Sequence, residues 1–162
     1  MPQVIELPPD AEFIDFGELP ERVDELLQRG VSAYRHDKIE ADSLFHQALA
    51  LAPGELPTYY CLYKIHTYQG NLDRALAIAQ AGLRESARQA GWSADYRTWE
   101  PVPAALTGPG RFALYTLKAL AFIRLRRGEP EEAGVLLHEL SRLDPAGCVG
   151  WPVIADLAKG LD

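Results

Sequence analysis

Cysteine is scarce. Cys61 and Cys148 are the only two, 87 positions apart, so no disulfide framework holds the fold. Long apolar runs are missing as well: the longest, Phe112 to Leu125, is broken by Lys118 and is too short to span a bilayer. The opening Met1-Pro2-Gln3-Val4-Ile5-Glu6 has neither a basic stretch nor an apolar core of the kind a secretory leader needs, so a reducing, cytoplasmic setting is expected. Excess positive charge is also lacking. With 16 basic against 23 acidic residues and a net charge of −7, the chain is a poor binder of nucleic acid or of an anionic bilayer surface. No GxSxG, Walker or GxGxxG pattern occurs, and neither cysteine has a CxxC or CxxH neighbour. The histidines, His36, His46, His66 and His138, are scattered over four separate predicted helices or turns, and His36 to Asp42 reads as a solvated turn. No catalytic residue, metal or cofactor is therefore expected, and an enzyme would need a site assembled from residues distant in sequence.

What is present is a chain of 162 residues, 48% apolar and 24% charged, enough for one domain with a real core. The charge imbalance is local. Residues 1 to 25 carry eight acids against Arg22 alone, while the other 137 residues carry 15 of each sign. Glu21, Asp24 and Glu25 follow Pro20 in the first turn of a predicted helix, where acids complement the helix dipole. The rest forms an acidic arm, residues 1–19, bearing Phe13, Ile14 and Phe16. It is expected either to pack Phe13 and Phe16 on the first helix pair or to place Asp10 to Glu18 near a binding groove as a ligand mimic.

Self-comparison exposes a repeat. Ala41, Phe45 and Ala48 recur 34 residues later as Ala75, Ala79 and Gly82, and 58 residues after that as Ala133, Leu137 and Leu140, one period plus an insertion of 24. Gly70 and Gly128 end helices, Asn71 is placed to cap the next one, and Pro130 begins another. Helices are predicted at about 20–35, 39–51, 55–69, 72–90, 110–127, 130–143 and 150–160, with an insertion at about 88–110 that carries Trp92, Trp99, Pro101 and Pro103. The tryptophans are expected either to pin this loop to the body or to wall a groove.

With these residues the chain resembles the tetratricopeptide repeat family over roughly residues 20 to 160. Gly30, Ala41, Phe45, Ala48 and Pro53 match its pattern in a first unit. Tyr59, Leu62, Gly70, Ala75, Ala79 and Gly82 match in a second, and Leu120, Ala121, Gly128, Ala133 and Pro145 in a third. The usual mid-helix tyrosine is replaced by His66 and Arg124, and the second unit lacks its closing proline. The resemblance implies an all-α fold, a right-handed α-solenoid of three helix pairs with a capping helix that begins at Trp151. It also implies a concave groove lined by the first helix of each pair: Leu27, Val31, Tyr34 and Arg35, then Tyr60, Lys64, Thr67 and Tyr68, then Lys118, Phe122, Leu125 and Arg126. This aromatic and basic lining suits a peptide or partner subunit with acidic and apolar residues.

The two-carboxylate clamp by which some members grip chaperone tails is not matched, because only Lys118 falls at a clamp position. The stretches Tyr59 to Leu72 and Arg111 to Leu120 are similar to small repeat proteins found with nitrogen-fixation genes, which implies an accessory role in nitrogenase assembly or regulation. The alternative to a binding module is a self-assembling scaffold, a homodimer with Trp99 and Trp151 at its contact.

Overall fold

The computed structural model describes residues 18–160. These form seven α-helices and one turn of 3-10 helix, with no strand among the described residues, so the expected all-α class holds. No described helix is long and apolar enough to cross a membrane. The chain divides into two compact units, Met1–Asn71 and Leu72–Asp162. The expectations placed on the acidic arm, that Phe13 and Phe16 pack on the first helix pair or that Asp10 to Glu18 lie near a groove, fall on residues that, Glu18 apart, lie outside the described ones.

In the first unit α1 is Glu21–Tyr34, α2 is Lys38–Leu51 and α3 is Leu56–Tyr68. Their ends follow local chemistry. Pro20 precedes α1, whose first turn holds Glu21 and Asp24; the Asp37 carboxylate accepts the Glu40 N–H at 3.0 Å to cap α2; Pro57 sits in the opening turn of α3. Gly70, at φ +80°, closes α3, and the Asn71 N–H then donates to the His66 carbonyl at 2.8 Å. Val23, Leu26, Leu27 and Val31 of α1 and Ala41, Leu44, Phe45 and Ala48 of α2 are buried where the two helices pack. The contact is close because Gly30 has no side chain: a Cβ there would lie 2.3 Å from Cε1 of Phe45. α3 adds Leu62, Tyr63, Ile65 and His66 to the buried set and packs on α2.

In the second unit α4 is Leu72–Ala90, α5 is Gly108–Arg126, α6 is Pro130–Leu143 and α7 is Trp151–Gly160. α5 is the hub and packs against α4, α6 and α7. Ala75, Ala79 and Ala87 of α4 and Ala113 and Ala121 of α5 are fully buried, and leucines fill the space around them. The glycine closure of α3 is repeated twice. Gly91 and Gly128 have φ of +77° and +79°, and the next N–H, of Trp92 or Glu129, donates five residues back at 2.9 Å. At the turn after Gly128, Arg127 and Arg124 grip Glu129 and hold its carboxyl below the usual carboxylate range; Arg127 also pairs with Asp73. Between α6 and α7 the buried Asp144 carboxylate accepts the N–H groups of Cys148 and Val149, both at 3.0 Å, and its carbonyl accepts the Trp151 indole at 2.7 Å.

The predicted helix limits lie within two residues of the observed ones. The long second helix and the loop after it are also as expected. That loop is pinned to α6: Arg142 donates to the carbonyl of Trp99 at 2.7 Å, and the Val102 N–H donates to that of Leu143 at 3.0 Å.

Gly30→Ala should destabilise the first unit by about 1–3 kcal/mol through overpacking against Phe45. Gly134→Ala, on the exposed face of α6 with nothing within 4 Å, should instead stabilise by about 0.5–1 kcal/mol. Urea midpoints would show both signs, and a Gly30→Ala protein as stable as the parent would refute the close contact.

Candidate functional site

The residues assigned to a groove separate into two groups once burial is known. In the first unit Tyr34, Tyr60, Lys64 and Tyr68 are half-exposed and Arg35 is exposed; in the second, Lys118 and Phe122 are half-exposed and Arg126 is exposed. Leu27, Val31, Thr67 and Leu125 are buried, so they belong to the interior and are no lining. The reason is periodicity: Val23, Leu27 and Val31 are spaced four apart and make one ridge of α1, and all three are at most 1% exposed. Thr67 turns its hydroxyl back onto the Tyr63 carbonyl at 2.6 Å.

The accessible residues share one motif. A cation three or four positions after an aromatic residue, on the same helix or, for Tyr34 and Lys38, across the turn from α1 to α2, lies over that ring. The Lys64 ammonium lies 5.1 Å from the Tyr60 ring centroid and donates to its hydroxyl at 2.8 Å; in the same unit Lys38 sits 4.7 Å from the Tyr34 centroid. In the second unit Lys118 stands 4.0 Å over Tyr115, and the Arg126 guanidinium 5.8 Å from the Phe122 centroid. The Lys118 stem also runs beside Gly150, where a Cβ would stand 3.5 Å from its ammonium. Lys38 and Tyr115 were not among the expected site residues, although aromatic and basic residues three or four positions apart would have shown them. A ring in that position attracts the cation through its quadrupole and restricts its rotamers.

The tryptophan loop is a separate feature of the second unit. Trp92 and Trp99 meet with centroids 4.8 Å apart and Tyr96 packs edge-on to Trp99, whose indole N–H donates to the Ser93 carbonyl at 2.7 Å. A hollow of about 330 Å³ opens beside them, lined also by Pro101, Val102 and Leu106. Trp99 is buried within its own chain, so it is not available for the dimer contact expected of it; Trp151 is half-buried with its indole N–H already bonded to Asp144.

A third grouping was missed altogether. Asp42 and His46 stand one turn apart on α2, and the buried His66 of α3 meets the same carboxylate, with Nε2 2.6 Å from Asp42 Oδ1. The four histidines do lie on four separate elements, yet two of them, His46 of α2 and His66 of α3, converge on one aspartate. A four-residue spacing plus a residue 20 positions further on is no recognised ligand pattern, and only the packing of α3 on α2 joins them. The Asn71 side chain, placed by sequence as a helix cap, lies against His66 with its amide nitrogen 3.1 Å from Nδ1.

Cys61 lies buried beside this region, on α3. Burial pushes its thiol up to about 12, outweighing the opposing pull of the Lys64 ammonium. Cys148 is exposed. A thiol reagent at pH 8 should therefore titrate one group per native chain and two in denaturant; two fast groups in the native protein would contradict the burial of Cys61.

No family model matches the chain, and neither a curated protein nor a solved structure matches it.

Proposed function

We propose that the protein is a non-enzymatic helical-repeat module of the tetratricopeptide kind. It would bind a protein partner rich in acidic and apolar residues through the cation-over-aromatic pairs of its first-of-pair helices. The observation that carries the reading is the recurrence of that motif. Each unit presents accessible Lys or Arg groups held against Tyr or Phe rings, and the cations Lys64, Lys118 and Arg126 stand at positions that the resemblance assigns to partner contact.

Energetics favour this use of the surface. Tyrosine and phenylalanine offer large contact areas with few rotatable bonds, and a cation already seated on its ring loses less entropy when it meets a carboxylate. Small buried residues at the repeating positions, Ala41 and Ala48, Ala75 and Ala79, and Ala133, support the repeat reading, as do the glycine closures at Gly70 and Gly128. The right-handed solenoid of three pairs belongs to the same proposal, as does the cytoplasmic setting. So does the accessory role in nitrogen fixation that the resemblance of Tyr59 to Leu72 and Arg111 to Leu120 implies.

Replacing Lys64, Lys118 and Arg126 together by Ala removes the charges and leaves the buried set intact. At about 0.5–1 kcal/mol for each exposed pair, partner affinity should fall about tenfold or more. The test is affinity capture from a lysate of the source cells, quantified by mass spectrometry for parent and variant side by side, with far-ultraviolet circular dichroism confirming equal helix content. Capture undiminished in a folded triple variant would overturn the proposal.

A further inference from the structure

Asp42, His46 and His66 bring one carboxylate oxygen and two imidazole nitrogens together, with one ligand atom from each within 4.8 Å of the others. Asp42 Oδ1 is the centre of the group, 2.6 Å from His66 Nε2 and 3.4 Å from His46 Nε2. Exposure is graded across it: the His66 side chain is 3% exposed, Asp42 25% and His46 42%. The group is thus anchored at one end and open to solvent at the other.

A structural role accounts for part of this. His66 is buried, and a buried imidazole needs partners for both ring nitrogens; Asp42 and Asn71 provide them. His46 is left over by that account. Its nitrogen faces an oxygen that His66 already occupies, at a distance too long for a strong N–H···O bond. Two imidazole nitrogens and a carboxylate oxygen within 4.8 Å of one another are instead the donor set that borderline divalent ions take, with a further position left to water.

We propose that Asp42, His46 and His66 form a binding site for a divalent first-row transition ion, with Zn²⁺ the best-suited probe. Ligand atoms around a tetrahedral zinc stand about 3.3 Å apart. The Asp42–His46 separation already matches, the Asp42–His66 pair opens as the ion replaces the proton between them, and the half-exposed His46 ring swings in to close the third edge. The proton balance is internal. The tautomer consistent with the Asn71 amide nitrogen against Nδ1 carries the His66 proton on Nε2, toward Asp42. An ion on Nε2 moves that proton to Nδ1, and the Asn71 amide turns over to offer its oxygen, the outer hydrogen bond that orients a ligating histidine.

The full chain, stripped with a chelator, would be titrated with Zn²⁺ by calorimetry and with Co²⁺ by absorption at pH 7.5. One ion per chain is expected. His46→Gln, a change at a half-exposed position, should weaken binding at least about tenfold with the helix content intact, and Asn71→Ala by about tenfold through the outer hydrogen bond. His36→Gln and His138→Gln should bind as the parent does. Three results would each overturn the proposal: no uptake of either ion, a folded His46→Gln protein that binds like the parent, or binding that is lost in His36→Gln or His138→Gln instead.

Discussion

Close approach of helices is the constraint on which each unit depends. Gly30 lets the Phe45 ring lie where any side chain on α1 would stand, and a Cβ 2.3 Å from that ring has no room. The second unit meets the same need with alanines: Ala75 and Ala79 on α4, and Ala113 and Ala121 on α5, are fully buried among leucines. Short side chains at the crossing let large ones on either side interdigitate, so burial and dispersion accrue along the whole helix length. With the crossing fixed, the outward faces follow. The ridge of Val23, Leu27 and Val31 is committed to the interior, and Tyr34 and Arg35 at the end of α1 stay accessible.

Polar groups inside these units are held by short local arrangements. Asp144 accepts two backbone N–H groups with its carboxylate and an indole with its carbonyl, so the passage from α6 to α7 is closed without regular structure. Arg142 does the same for the tryptophan loop by donating to carbonyls of residues 96, 97 and 99. His66 is the third case and differs in kind. Its partners are a carboxylate and an amide that can each rearrange, and the carboxylate is shared with a second histidine.

Much of the architecture was legible in the amino-acid order. The 34-residue recurrence of small residues marks the crossings, and Gly70, Gly128 and Pro130 mark helix limits because φ near +80° and a missing N–H are properties of single residues. Less legible was which of two faces a largely apolar helix turns inward. Leu27 and Val31 match a surface position in the repeat pattern yet lie in the interior, because periodicity within one helix does not say which neighbour covers it. Trp99 could not be placed for a similar reason: its burial depends on Arg142, 43 positions away, holding the loop down. The convergence of Asp42, His46 and His66 was invisible, because ligand patterns are read along a chain and this one is made by two helices packing.

The formal charge of the body, zero outside the first 25 residues, conceals two ways of holding a cation. Arg88, Arg97 and Arg127 lie against carboxylates of their own chain, which cancel them and are themselves held below the usual carboxylate range: Glu85 by Arg88 and then Gln89, Asp95 by Arg97, Glu129 by Arg127 and then Arg124. Lys38, Lys64, Lys118 and Arg126 lie against rings. A ring attracts a cation through its quadrupole and carries no net charge of its own. A body of zero formal charge therefore divides its cations between carboxylates and aromatic rings. The net charge of the whole chain predicts nothing of this, since it counts both kinds of cation alike.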